Sequence, residues 1–357
     1  MVEWLAGNRI IGTTAERPNF GLPSGSVGGW VELGRHVIGT ASSEVFVASL
    51  PDKRYYMVLY EDKGEASANA RLLRYNSDAN NIYSNRVSTN GASDTEQNTQ
   101  PQHNGWNGNN TTPQFNVWYI ANLAGKEKLL ISEGVMQGTA GAGTAPARTE
   151  YAGKSTLSAV INRIGVIQNA GTHSTGTTMT VLGWDPTDTH TTNFWEELAS
   201  VTASGNTETF ETGTFSAKKY LWIQAWIDSS GSNHGLDPYV NSDTGNNYAY
   251  RASANGATDA YEMNEDQMGF AGGWGGTEKI FFNAFIINNS ANEKLMISHT
   301  ISDDDVAGAG TAPNSRESSG KWVTTGSQIT KFGFKNRNTN TGQKIDAGSI
   351  IKVWGSD

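Results

Sequence analysis

The feature that most limits what this chain can fold into is that it contains the same pattern twice. Trp30, Glu32 and Leu33 return as Trp195, Glu197 and Leu198, a displacement of 165 residues. The same displacement carries Lys53 and Tyr55 onto Lys218 and Tyr220, and Asn76-Ser77-Asp78 onto Asn241-Ser242-Asp243. It also carries Tyr83, Arg86 and Asn90-Gly91-Ala92 onto Tyr248, Arg251 and Asn255-Gly256-Ala257. Farther along it drifts by a residue or two. Glu127-Lys128-Leu129 matches Glu293-Lys294-Leu295, and the string Ala-Gly-Ala-Gly-Thr-Ala-Pro occurs at both Ala140–Pro146 and Ala307–Pro313. A period of this length is far above the roughly 20–50 residues of a solenoid or propeller unit, so each copy is expected to bury its own core. The division this predicts is an N-terminal arm over 1–29, a first copy over 30–185, a linker over 186–192 and a second copy over 193–357.

Within each copy, short apolar and β-branched runs alternate with Gly, Asn, Ser and Thr clusters. The strands expected in the first copy are Val45–Ala48, Tyr55–Tyr60, Arg71–Tyr75, Phe115–Ile120, Leu129–Ser132, Val160–Ile167 and Thr178–Leu182. In the second copy Tyr220–Ile227 and Lys279–Ile287 are clearest, the former apolar at both parities and so suited to a strand covered on both faces. No long segment sustains a helical period with caps. The fold class predicted is all-β: two tandem, duplicated β-sandwiches of jelly-roll type, preceded by an extended arm. Thr89 to Pro113, rich in Asn, Gly and Thr, reads as a long surface loop. Trp4, Leu5, Ile10 and Ile11 give the arm apolar anchors, either for lying on its own first domain or for docking on a neighbouring subunit's sheet edge.

Charged residues make up only 17% of the chain, against about 25% in average globular proteins, and aromatics reach 10%. So much apolar surface argues for an ordered chain. The net charge of −9 disfavours a phosphate-backbone partner, because nucleic-acid binding needs a basic face. The absence of cysteine excludes disulfides and thiolate metal sites. No secretory signal is visible at the N-terminus, and the longest apolar run, Ile280 to Ile287, is too short to insert in a bilayer.

No catalytic pattern is complete in the sequence. Gly153-Lys154-Ser155 resembles the end of a phosphate-binding loop, but Arg148 stands where the first glycine is required. No Gly-x-Ser-x-Gly elbow occurs, and the six histidines are scattered, which predicts surface or hydrogen-bonded structural roles. Asp303, Asp304 and Asp305 form a weak calcium candidate that the first copy lacks. Glu32, Glu197, Glu127 and Glu293 are shared carboxylates, expected to be surface partners of Lys or Arg. The expectation is therefore no catalytic residues, no cofactor and no enzymatic activity. Trp106 and Trp274, each in a glycine-rich stretch, are candidates for contacting a sugar or a protein partner, or else for folding back over a sandwich end. Asp78 with Arg86, and Asp243 with Arg251, read as turn and strand motifs in which the acid caps amides and the Arg meets an acid across the next strand.

The string Asn-Ser-Asp-x-x-Asn-x-Tyr-x-x-Arg-x-Ser-x-Asn-Gly, at Asn76–Gly91 and Asn241–Gly256, resembles β-sandwich domains in virion structural proteins of bacteriophages and marine viruses, as do the later Glu-Lys-Leu-x-Ile-Ser and Ala-Gly-Ala-Gly-Thr-Ala-Pro strings. The resemblance implies a non-enzymatic decoration, head-fibre or tail-fibre component on the virion surface, made in the host cytoplasm. The partners it implies are further copies of the chain, other virion proteins and host surface glycans. Two alternatives stand beside it: a major capsid protein with a double jelly roll, and a cell-surface filament, layer protein or carbohydrate-binding module.

Overall fold

The computed structural model describes residues 29–64, 70–106, 111–186, 188, 192–230, 235–271, 278–303, 309–337 and 344–357. Every regular element among them is a β-strand. The expected arm, including Trp4, Leu5, Ile10 and Ile11, lies outside the described residues apart from Gly29. Two units cluster by contact. The first comprises the residues up to Thr89, Ser93–Gly134 and Thr149–Glu196; the second comprises Asn90–Ala92, Val135–Arg148 and Glu197–Asp357. By sequence, Asn90–Ala92 and Val135–Arg148 fall in the first copy, yet they group with the second unit. Phe194 N donates to Trp30 O at 2.8 Å, which holds the residues just after the linker to the first unit.

The strands of the first copy are β1 Val31–Val37, β2 Glu44–Ala48, β3 Tyr55–Asp62, β4 Arg71–Tyr75, β5 Tyr83–Thr89 and β6 Thr95–Gln100. They continue as β7 His103–Trp106, β8 Gln114–Ala121, β9 Lys128–Met136, β10 Ala147–Ser155, β11 Arg163–Gln168 and β12 Thr178–Trp184. One sheet runs β1-β12-β3-β8-β9-β10-β5-β6, the other β2-β11-β4-β7. Setting aside the pairs β5–β6 and β9–β10 leaves two four-stranded sheets, β1-β12-β3-β8 and β2-β11-β4-β7, the arrangement of a jelly roll. The core lies between them. Val45 and Val47 of β2, Tyr56 and Val58 of β3, and Ile164 and Val166 of β11 alternate inward, as period 2 requires. Each such aliphatic side chain stabilises the fold by about 1.5–3 kcal/mol relative to exposure.

In the second copy the strands are β13 Glu196–Thr202, β14 Thr209–Glu211, β15 Tyr220–Ser230, β16 Leu236–Val240, β17 Tyr248–Ala254 and β18 Ala260–Glu265. After these come β19 Lys279–Ile287, β20 Lys294–Ser302, β21 Asn314–Trp322, β22 Phe332–Asn336, β23 Lys344–Ile345 and β24 Ile350–Ser356. Its large sheet runs β13-β24-β15-β19-β20-β21-β17-β18, the order of the first copy position by position, and its small sheet β14-β22-β16.

The repeated string has a structural explanation. Asn76 and Ser77 sit at φ of 53° and 57°, and Asn241 and Ser242 at 52° and 53°, the left-handed conformation of a primed turn. Asp78 N and Asp243 N close these turns on Tyr75 O and Val240 O, each at 2.9 Å. The hydroxyl of Tyr83 then donates to Asp78 O at 3.2 Å, and that of Tyr248 to Asp243 O at 2.9 Å. Asn90-Gly91 and Asn255-Gly256 form a second left-handed pair at the β5–β6 and β17–β18 hairpins.

Three expectations are corrected. Thr89 to Pro113 is not one loop, since β6 and β7 lie within it; β6 is polar on both faces, so it carries no apolar alternation. His103 is not at the surface: it is wholly buried among Tyr75, Tyr83 and Tyr151, and among the described residues neither ring nitrogen has a hydrogen-bond partner. Glu293 is not a surface carboxylate but is buried beside Lys321.

Candidate functional site

The first unit presents an apolar groove of about 450 Å³ on the outward face of its large sheet, lined among others by Trp30, Tyr55, Tyr119, Leu129, Ile131 and Trp184. Period 2 produces it: in β9, Lys128 and Leu130 turn inward while Leu129 and Ile131 turn out. Neighbouring strands add aromatic walls. Tyr55 stacks on Trp184 at 5.4 Å between centroids, and Trp30 leans on Trp184 at 6.5 Å. Leu129 is 55% exposed and Ile131 62%. At the rim, Lys154 of β10 faces Glu127 at 3.8 Å, with both side chains about half exposed.

The matching positions of the second unit are closed. Leu295 and Ile297, which stand where Leu129 and Ile131 stand in the first copy, are only 1% and 4% exposed. Trp222 stacks on Phe285 at 5.4 Å and donates its indole N–H to Asn283 Oδ1 at 2.7 Å. Leu295 lies opposite Lys321 in the β20–β21 pairing. The Lys321 ammonium has no exposed surface, and burial lowers its pKa while the nearby Glu293 raises it. One sheet face thus exists in two states, covered in one unit and open in the other.

Chemically, the open face offers hydrophobic area, aromatic planes and a rim ion pair. One cluster of titratable groups, of the kind acid–base chemistry uses, lies inside the sandwich instead. Tyr60 donates to Asp62 at 2.7 Å, Arg71 also bonds Asp62, and His173 Nδ1 stands 3.6 Å from it. Their side chains are essentially withdrawn from solvent. Burial pushes the Asp62 carboxyl up, but His173, Arg71 and Tyr60 outweigh it and hold the group well below the ordinary range.

The residues singled out in the sequence are placed as follows. Trp106 ends β7, its backbone paired with Arg71, while its side chain and all of Trp274 lie outside the described residues. Asp304 and Asp305 also lie outside; Asp303 accepts a backbone bond from Lys279 N at 2.9 Å. Among the described residues no group of three or more His, Cys, Asp or Glu is set to hold a metal ion. Asp78 accepts from Asn80 N and Asp243 from Gly245 N, at 2.8 and 2.9 Å. Arg86 meets Glu96 on β6 at 3.0 Å. Arg251 differs: its Nε donates to Pro146 O at 3.0 Å and its guanidinium lies over the Tyr261 ring.

Sequence reasoning missed Leu129, Ile131, Tyr55 and Trp184. Their signal was available in part, since Leu129-Leu130-Ile131 is apolar at both parities, the same mark that identified Tyr220–Ile227 as doubly covered. No family model matches the chain, and no curated protein matches it in sequence.

Proposed function

We propose that this chain is a non-enzymatic structural protein of a virus particle, displayed on the particle surface as a decoration or fibre component. The observation that carries the reading is the open apolar face at Leu129 and Ile131, whose counterpart at Leu295 and Ile297 is covered. A contiguous exposed apolar face rimmed by charge is the mark of a surface that meets a partner. The resemblance of the turn strings at Asn76–Gly91 and Asn241–Gly256 to virion sandwich domains supplies the kind of assembly. The partners are then other copies of the chain and other particle proteins.

The experiment is protein mass spectrometry on purified particles with copy-number counting. A modest copy number, with particles that remain intact when the protein is stripped, supports the proposal. Hundreds of copies tiling the shell would instead make it the major capsid subunit, a role two tandem jelly rolls also suit. Recovery only from cell-surface fractions would overturn both. The Tyr55–Trp184 stack favours one further reading, a glycan site, because a sugar face packs on such a plane. Glycan-array binding lost in Trp184→Ala would support that reading.

A further inference from the structure

In the second unit the outward face of the large sheet reopens beyond Leu295 and Ile297. Ile301, farther along β20, is 52% exposed, and Trp226 of β15 is 47% exposed. Cross-strand register sets both in one row: Trp226 lies opposite Ile350 of β24 on one side and Phe281 of β19 on the other, and Phe281 lies opposite Ile301. Period 2 turns all four outward, since Ala225, Ile227, Phe282 and Ile351 beside them belong to the core. The next outward row on the same strands is polar, with Lys352, Gln224, Asn283 and His299 opposite one another in turn.

One amide in the polar row has a fixed direction. Asn283 Oδ1 accepts the indole N–H of Trp222 at 2.7 Å and an Nε2–H of Gln224 at 3.2 Å. Its amide nitrogen, with two N–H donors, therefore faces away from both, and the residue is half-buried. The lysines bordering the row are paired, Lys352 with Glu197 and Lys279 with Asp228, each at 3.8 Å. The first copy shows that the fold does not require these side chains. By the matching registers, Glu61, Leu59 and Val117 stand where the second copy has Trp226, Gln224 and Asn283, and all three are buried.

We propose that this row of the second unit is a binding site for a neutral glycan. The apolar strip is one side chain wide: along their strands Trp226 stands between Gln224 and Asp228, and Phe281 between Asn283 and Lys279. A pyranose ring has the same layout, an apolar C–H face edged by hydroxyls. The indole of Trp226 packs on that face, Phe281 extends the platform, and the Asn283 amide N–H groups donate to hydroxyls at its edge. Trp222 and Gln224 are positioning residues that set the direction of the amide. With each lysine already matched to a carboxylate, the site favours uncharged sugars over sialylated or sulfated ones. A broad protein contact would instead call for neighbouring apolar rows, as in the first unit's groove.

The test is binding of the full chain to an immobilised panel of neutral hexose oligosaccharides and their sialylated and sulfated counterparts, then calorimetric titration with the best binder. Trp226→Ala removes the platform and should weaken binding by roughly tenfold or more. Asn283→Asp keeps an oxygen for Trp222 and Gln224 but loses the donors, and should weaken binding roughly tenfold. Unchanged thermal transitions show that the variants fold; should one fail, Phe281→Ala replaces it, with a smaller loss expected. A panel without a neutral binder, a preference for charged sugars, or full binding by Trp226→Ala would each overturn the site. So would binding lost in Trp184→Ala and kept in Trp226→Ala, which places the sugar in the first unit. If Trp226→Ala instead changes only the sedimenting mass, the row is a protein contact and the glycan site is wrong. Presence of the protein in particles is measured separately, so this site and the particle reading can fail independently.

Discussion

Arg71 donates its Nε–H to Asp62 with both side chains completely out of solvent. The pair is specific to the first copy, since Ile227 and Leu236 stand at the matching positions of the second. Asp62→Asn would leave the guanidinium buried beside a neutral amide. The expected loss is about 3–5 kcal/mol, whereas replacing both residues by apolar ones should cost much less. Chemical denaturation of the single and double variants measures the difference.

The same carboxylate sets an acid limit. Its pKa is depressed in the folded chain, so its contribution is complete above the unfolded value of about 3.9 and is lost as pH falls below it. Unfolding titrations should show a stability decline beneath pH 4 that Asp62→Asn weakens.

His103 acts in the same sense over a higher pH window. Burial lowers its pKa from 6.5 to about 3, so the folded chain holds the ring neutral while the unfolded chain protonates it. Between those values the unfolded state binds the extra proton, and stability falls as pH falls, by about 1.4 kcal/mol per pH unit. His103→Phe should flatten the unfolding midpoint between pH 6 and 4 by this one-proton slope. An unchanged slope would show that the ring is not the group responsible.

The two states of the sheet face predict unequal responses to one kind of substitution. Leu129→Ala and Ile131→Ala remove exposed side chains and should change stability by less than about 1 kcal/mol. Leu295→Ala and Ile297→Ala leave cavities and should each cost about 2–5 kcal/mol. Thermal unfolding of the four variants provides the comparison.

Gly153 and Gly320 occupy the same place in the two copies, and each is demanded by a close approach. A Cβ on Gly320 would stand 1.7 Å from Met268 O, and one on Gly153 would stand 2.7 Å from the His103 ring. Gly153→Ala should destabilise by about 1–3 kcal/mol and be partly rescued by His103→Ala. Gly320→Ala meets backbone, so no side-chain change should rescue it.

Much of this was legible beforehand. The duplicated turns identified the two copies because Asn-Ser and Asn-Gly are among the residues that tolerate left-handed φ, and β3, β4 and β12 followed from apolar runs. Thr95–Gln100 was not legible: an edge strand polar on both faces has no alternation to read. His103 gave no sign because its burial depends on three tyrosines distant in sequence. The open groove was hidden for a deeper reason. Leu129-Leu130-Ile131 and Leu295-Met296-Ile297 have the same pattern, and pattern alone does not say which copy's outward side chains meet solvent.

In β9 the residues that hold the interior and those that meet the outside alternate one by one. The two sets of codons are interleaved but mechanically independent. Selection can redesign what this surface recognises, even abolish it, without a single change to the packing beneath. A gene carrying two such strands can keep one as a fixed joint while the other drifts toward new associations.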